Sequence, residues 1–128
     1  MTSRRQKMET KIKILIAEDN EGFLEMLSEI FGRNFEVYQA HNGKEAYDIF
    51  VHKRPTVVIT DLIMPVMDGA DLSKKVKILS PHTKVFAVSG AKNANIEGAK
   101  NAGIDEVFEK PGGLPSLYKT MNKLQVDN

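Results

Sequence analysis

The thirteen residues Val57-Val58-Ile59-Thr60-Asp61-Leu62-Ile63-Met64-Pro65-Val66-Met67-Asp68-Gly69 restrict the fold more than any other part of the chain. Val57 to Thr60 are all β-branched, and a short apolar run bounded by breakers suits a strand buried on both faces of a parallel sheet. Pro65 ends regular pairing, and Asp68-Gly69 predicts a turn followed by a helix N-cap. Asp61 therefore falls at the carboxyl end of a buried strand, where open α/β sheets bind their ligands. A charge in that place is costly unless it has partners.

The flanking sequence repeats a strand-helix alternation. Ile12 to Ala17 reads as a first strand running into Glu18-Asp19-Asn20, with Asn20 as the cap of a helix whose apolar face is Phe23, Leu24, Leu27, Ile30 and Phe31. Phe35 to Ala40 is a second strand, and Ala46, Ile49 and Phe50 mark a second helix stopped by Pro55. After the central strand, Leu72, Val76 and Leu79 mark a third helix closed by Ser80-Pro81. Lys84 to Val88 is a fourth strand ending in Ser89-Gly90. Asn93 to Ala102 is expected to be a weak fourth helix, with Ile96 and Ala99 as core contacts, Gly98 inside it and Gly103 closing it. Glu106 to Glu109 is a fifth strand running into Lys110-Pro111, and Gly112-Gly113 is expected to form a loose loop. Leu114, Leu117, Met121 and Leu124 recur at helical spacing, with Pro115 in the first turn. Five β-α units with right-handed crossovers predict a five-stranded parallel sheet with helices on both faces.

A chain of 128 residues holds one such domain, expected over residues 12–126, with a polar, basic tail over 1–11. A net charge of +1 gives no general attraction to nucleic acid or membranes, and the absence of cysteine removes disulfides, thiolate metal sites and cysteine nucleophiles. No apolar run has the length of a signal peptide or a membrane span, so the expected location is the cytoplasm.

In a parallel sheet the carboxyl ends of all strands share one edge. That edge receives Glu18 and Asp19, Asp61, Ser89 and Lys110 from four different strands. Singly, Glu18-Asp19 reads equally as a helix-capping pair, Ser89-Gly90 and Asp61 as turn residues, and Lys110 as a surface lysine with an apolar stem. Together they are harder to assign to turns. Three neighbouring carboxylates repel one another, and a divalent cation relieves that conflict. With only oxygen ligands on offer, Mg²⁺ is the natural choice and Mn²⁺ a substitute, leaving Lys110 and Ser89 to hold phosphoryl oxygens.

Glu18-Asp19, the motif from Asp61 to Gly69, Ser89-Gly90, Ala102-Gly103-Ile104-Asp105 and Lys110-Pro111 occur in the order and register of the response-regulator receiver domains of two-component signalling, which the chain resembles from Ile12 to Leu124. The resemblance implies a flavodoxin-like receiver fold with strand order 2-1-3-4-5. It implies Asp61 as nucleophile and phosphoacceptor, taking a phosphoryl group from a histidine kinase or histidine phosphotransfer protein. Asp19, Asp61 and the main-chain carbonyl of Ile63 would ligate Mg²⁺, with Glu18 acting through a bound water. Ser89 and Lys110 would hold the phosphoryl oxygens, with a cis Lys110-Pro111 bond aiming the amine.

The family's usual aromatic residue three positions before the lysine is Val107 here, and Phe108 points to the other face of its strand. Signalling through the Ser89 loop and the weak fourth helix is the expectation instead. Ile63 and Ala91 stand where the family controls water access to the phosphoryl group. The function implied is a stand-alone switch without an output domain, signalling to a downstream target protein through phosphorylation-dependent binding, with no direct nucleic-acid contact. Two other readings compete with it. A Mg²⁺-dependent phosphohydrolase would need a carboxylate where Ile63 stands, so a turnover enzyme is not expected. A binding module that has lost phosphorylation would not need all of Glu18, Asp19, Asp61, Ser89 and Lys110.

Overall fold

The computed structural model describes residues 11–90 and 95–126; the expected tail other than Lys11, together with Ala91 and Asn93, lies outside the described residues. Five strands, β1 (Ile12–Ala17), β2 (Phe35–Ala40), β3 (Val57–Asp61), β4 (Lys84–Ser89) and β5 (Glu106–Glu109), alternate with five helices. These are α1 (Glu21–Phe31), α2 (Gly43–Lys53), α3 (Gly69–Leu79), α4 (Ile96–Asn101) and α5 (Leu114–Val126). All strands pair in parallel in the order β2-β1-β3-β4-β5, as expected.

Side chains alternate across the sheet because the strand period is two. Ile14, Ile16, Val57, Ile59, Phe86, Val88 and Phe108 face Leu24, Leu27 and Phe31 of α1 and Leu117 and Met121 of α5. Leu15, Val58, Val85 and Ala87 face Ala46 and Phe50 of α2, Leu72 and Val76 of α3 and Ala99 of α4. Both faces of β3 are thus covered, which explains why Val57 to Thr60 carry no polar alternation.

Asn20, Asn42, Asp68 and Asn95 cap α1 to α4, each accepting the N–H three residues on. Every one of these helices begins at the edge where the strands end, so the caps also fix the loops that border that edge. On the opposite side of the sheet, Asp105 accepts the Val85 N–H at 2.8 Å and the Lys77 ammonium at 2.9 Å, joining α3, β4 and the turn before β5.

Several local expectations are corrected. The fourth helix runs only over Ile96–Asn101, and Ile96 is 42% exposed while Ala99 is buried. With six residues it has fewer than two turns to press on the sheet, and they present Ala99. Leu79 and Ile30 are also partly exposed, because each sits near the last turn of its helix, beyond the best-packed part of the sheet. Gly98 serves the cap, since a Cβ there would stand 2.5 Å from the Asn95 amide.

The Gly112-Gly113 segment is a closed turn rather than a loose loop. The Gly113 N–H donates to the Glu109 carbonyl at 2.7 Å, and a Cβ on Gly113 would come within 2.6 Å of the Glu109 nitrogen. Only glycine lets α5 start that close to the end of β5.

Candidate functional site

The carboxyl edge of the sheet brings together what the strand ends carry. One carboxylate oxygen from each of Glu18, Asp19 and Asp61 lies within 4.8 Å of the others. Glu18 is buried, Asp61 half-buried and Asp19 exposed. Lys110 reaches across from the turn after β5, its Nζ 2.7 Å from Glu18 Oε1 and 3.1 Å from Asp61 Oδ2. The Lys110-Pro111 peptide is cis, as the resemblance implied.

Ser89 is the last residue of β4 and is buried; its carbonyl accepts the Lys110 N–H at 2.9 Å. The register pairs Asp61 with Val88, so Ser89 stands one residue further along the neighbouring strand. The Ile63 side chain is 65% exposed, and its N–H reaches Asp61 Oδ1 at 3.3 Å, turning the backbone just after Asp61 back over the carboxylate.

Lys110 relieves part of the carboxylate repulsion that the sequence alone leaves to a metal. Desolvation pushes the Glu18 carboxyl above the usual carboxylate range, against the pull of Lys110 and of the Asn20 N–H. Burial by itself would lower the Lys110 amine, but its bonds to Glu18 and Asp61 hold it above the usual lysine range. One cation facing three carboxylates still leaves a net negative pocket of oxygen ligands, which fits a hard divalent cation and a receiver-domain metal site.

Two further contacts were not legible in the sequence. Phe23, read there only as part of the apolar face of α1, lies with its ring centroid 4.4 Å from Lys110 Nζ. Thr60 donates its hydroxyl proton to the Asp61 carbonyl at 2.8 Å, satisfying a buried hydroxyl at the end of β3. For Phe23 the only signal available was its place one turn after the Asn20 cap.

The loops around the pocket are tightly tied. The Gly43 N–H donates to the Met67 carbonyl at 3.1 Å, locking the start of α2 against the loop that follows Asp61. In that loop Val66 adopts φ 72°, a left-handed conformation that is strained for a β-branched residue. Val66 is 77% exposed, so packing does not compel valine. Val66→Asn is expected to stabilise the fold by about 1 kcal/mol. A urea midpoint equal to or below that of the wild type would refute it.

His41, between β2 and α2, joins two helix starts. Its Nε2 lies 3.0 Å from Glu21 Oε2 and its Nδ1 3.1 Å from Glu45 Oε1. Carboxylates only accept, so both bonds are made together only by the protonated ring. The Glu45 bond is the main cause that raises the His41 value above 6.5; desolvation opposes it and Glu21 adds to it. The stability these bonds contribute is complete below pH 6.5 and lost as pH rises through the higher folded value. His41→Gln is expected to flatten the fall in melting temperature across that window. An unchanged pH profile in the variant would contradict the assignment.

A doubly wound parallel sheet with an acidic pocket at its carboxyl edge, beside the switch between β1 and β3, defines the class of ligand-binding α/β domains that place their chemistry on strand ends. Comparison with known proteins narrows the class. The profile of the response regulator receiver domain matches residues 14–122. Sporulation initiation phosphotransferase F of Bacillus subtilis is 30% identical over 113 residues, covering 87% of this chain and 91% of that protein. An uncharacterised transcriptional regulatory protein of the same organism is 39% identical over 120 residues, covering 88% of this chain but only 32% of that longer protein. Among solved structures, the chemotaxis response regulator CheY4 of Vibrio cholerae superposes with a TM-score of 0.80 at 27% identity, covering 89% of this chain and 98% of that one. The chain belongs to the response regulator receiver domain family of two-component phosphorelay signalling. Among the described residues, no helix is long and apolar enough to cross a membrane.

Proposed function

We propose that the domain is a phosphorylation switch, with Asp61 as its phosphoacceptor. The observation that carries this reading is the place of Asp61 at the end of a fully covered strand, with two more carboxylates within 4.8 Å and the Lys110 ammonium at 3.1 Å. An Asp61 carboxylate oxygen attacks the phosphorus of a phosphohistidine on a histidine kinase or histidine phosphotransfer protein. The new P–O bond replaces the P–N bond, and the departing imidazole takes up a proton. The likeness to a sporulation phosphotransferase supports a part in phosphoryl transfer.

Asp19, Asp61 and the Ile63 carbonyl would hold Mg²⁺, or Mn²⁺ in its place, with Glu18 reaching the metal through water. The metal, when bound, neutralises charge on the phosphoryl oxygens. Lys110 leaves its place between Glu18 and Asp61 to pair with one phosphoryl oxygen, and Ser89 donates its hydroxyl proton to another.

The domain works as a switch rather than a turnover enzyme. The position two residues after Asp61 is Ile63, which cannot protonate a leaving group. Its output is altered binding of a downstream target protein at the surface of α4, β5 and α5, in the cytoplasm and without direct contact to nucleic acid. Intact mass after incubation with acetyl phosphate and Mg²⁺ tests the reading. One phosphoryl group is expected on the wild type and none on Asp61→Asn; a labelled Asp61→Asn would move the acceptor elsewhere.

A further inference from the structure

Four contacts close a circuit around the pocket. Glu18 Oε2 accepts the Asn20 N–H at 3.0 Å, and Asn20 Oδ1 accepts the Phe23 N–H at 2.9 Å. The Phe23 ring covers the Lys110 ammonium at 4.4 Å, and that ammonium returns to Glu18 Oε1 at 2.7 Å. The acidic strand end, the cap of α1 and the lysine of the β5 turn are thus held in one ring of contacts. Phe23 is the one member with no charge or polar side-chain atom.

We infer that Phe23 is a positioning residue for phosphoryl acceptance, its ring holding the Lys110 ammonium over the pocket while that ammonium exchanges carboxylate partners for a phosphoryl oxygen. The inference rests on the reading of Asp61 as phosphoacceptor.

The physical reason lies in the kind of attraction an aromatic face offers. A hydrogen bond to a carboxylate is directional and must break before Lys110 can turn to a new oxygen. The face of a ring attracts a cation through its quadrupole over a broad range of angles. Phe23 therefore retains its hold while the amine turns, and offers no lone pair in competition with the phosphoryl group.

Three other cation–ring contacts occur among the described residues, Lys53 on Tyr38, Arg54 on Phe50 and Lys75 on Tyr47, at 5.5 to 5.7 Å. The Phe23–Lys110 contact is shorter than all of them. It also involves a cation whose side chain is only 21% exposed, where such contacts are strongest. Gly90 borders the Lys110 stem. A Cβ placed there would stand 3.7 Å from the Lys110 Cβ and Cδ, at ordinary contact distance.

The test compares wild type, Phe23→Leu and Phe23→Tyr. The rate of labelling by acetyl phosphate at saturating Mg²⁺ is measured beside the Mg²⁺ dissociation constant and the melting temperature. Leucine keeps apolar bulk but has no ring face, whereas tyrosine keeps the face. Phe23→Leu is expected to label about tenfold more slowly with unchanged Mg²⁺ affinity, and Phe23→Tyr to recover most of the rate. In NMR spectra of the wild type and of Phe23→Tyr, the Lys110 ε-methylene protons are expected upfield through the ring current, and that shift is lost in Phe23→Leu.

Equal rates for Phe23→Leu and wild type would overturn the inference while leaving Asp61 as acceptor. A rate lost equally in both variants, tracking a lowered melting temperature, would reduce Phe23 to a packing residue. A wild type that takes no label from acetyl phosphate or from a phosphohistidine donor would overturn the acceptor reading itself, and this inference with it.

Discussion

Lys110→Met is expected to destabilise the metal-free domain by about 3 kcal/mol at neutral pH, since breaking a buried ion pair leaves an uncompensated charge. Methionine matches the length and apolar stem of lysine, so packing is largely kept and the missing ammonium accounts for the loss. Glu18 has only 2% of its surface exposed, and its carboxylate accepts from the Lys110 ammonium and the Asn20 N–H. Burial already holds its carboxyl above the usual range with the lysine in place. Without the lysine that value climbs further, and at neutral pH the fold must keep a poorly compensated anion or take up a proton.

The sign with pH follows. A carboxyl raised in the folded state favours folding below its unfolded value and loses that advantage as pH rises through its folded value. The deficit of Lys110→Met is therefore largest at neutral pH and shrinks in mild acid. Urea unfolding at both conditions measures it. A neutral-pH loss below about 1 kcal/mol would mean that the pair behaves as an exposed one. On the acceptor reading, the same variant is expected to label about a hundredfold more slowly, as when one preorganised donor to a developing charge is removed.

Gly69→Ala is the second large effect. Gly69 opens α3 behind the Asp68 cap, and its N–H donates to the Leu62 carbonyl at 2.9 Å. A Cβ built on it would stand 2.2 Å from the Asp61 carbonyl oxygen and 3.1 Å from the Leu62 Cα. Both obstacles are backbone, so no side chain can swing aside. Either α3 moves away from the end of β3 or the Asp61 peptide moves. A loss of about 3 kcal/mol is expected from such overpacking. Displacing the Asp61 peptide also shifts its carboxylate, so Mg²⁺ affinity is expected to fall with stability. Calorimetric titration of the folded variant measures that affinity, and wild-type binding in Gly69→Ala would show that α3 alone gives way. Gly43, whose Cβ would meet the Met67 carbonyl at 2.1 Å, guards the same loop from α2.

Much of this arrangement was legible in the sequence because it follows from local rules. The β-branched run ending in Asp61 names the central strand. Asn20 and Asp68 name the caps of α1 and α3, and the alternation of strand and helix leaves one parallel sheet whose carboxyl ends must share an edge. That shared edge gathers Glu18, Asp19, Asp61, Ser89 and Lys110 from residues up to 92 positions apart. The opposite faces of Val107 and Phe108 were readable from the strand period as well, and Phe108 does pack with Phe86 on the side of α1 and α5.

What stayed hidden depended on distances between elements. Glycine doublets read as slack, yet Gly112-Gly113 forms a tight turn because α5 begins hard against β5. Ile96 reads as core, yet a helix of fewer than two turns buries only the side facing the sheet, which is Ala99. Above all, the sequence determined which charges arrive at the edge but not how they pair. Lys110 proved to bridge Glu18 and Asp61 under the ring of Phe23. Strand order and periodicity set direction to within a residue, whereas an ion pair depends on a few tenths of an ångström, and those are decided only when both faces of the sheet have packed.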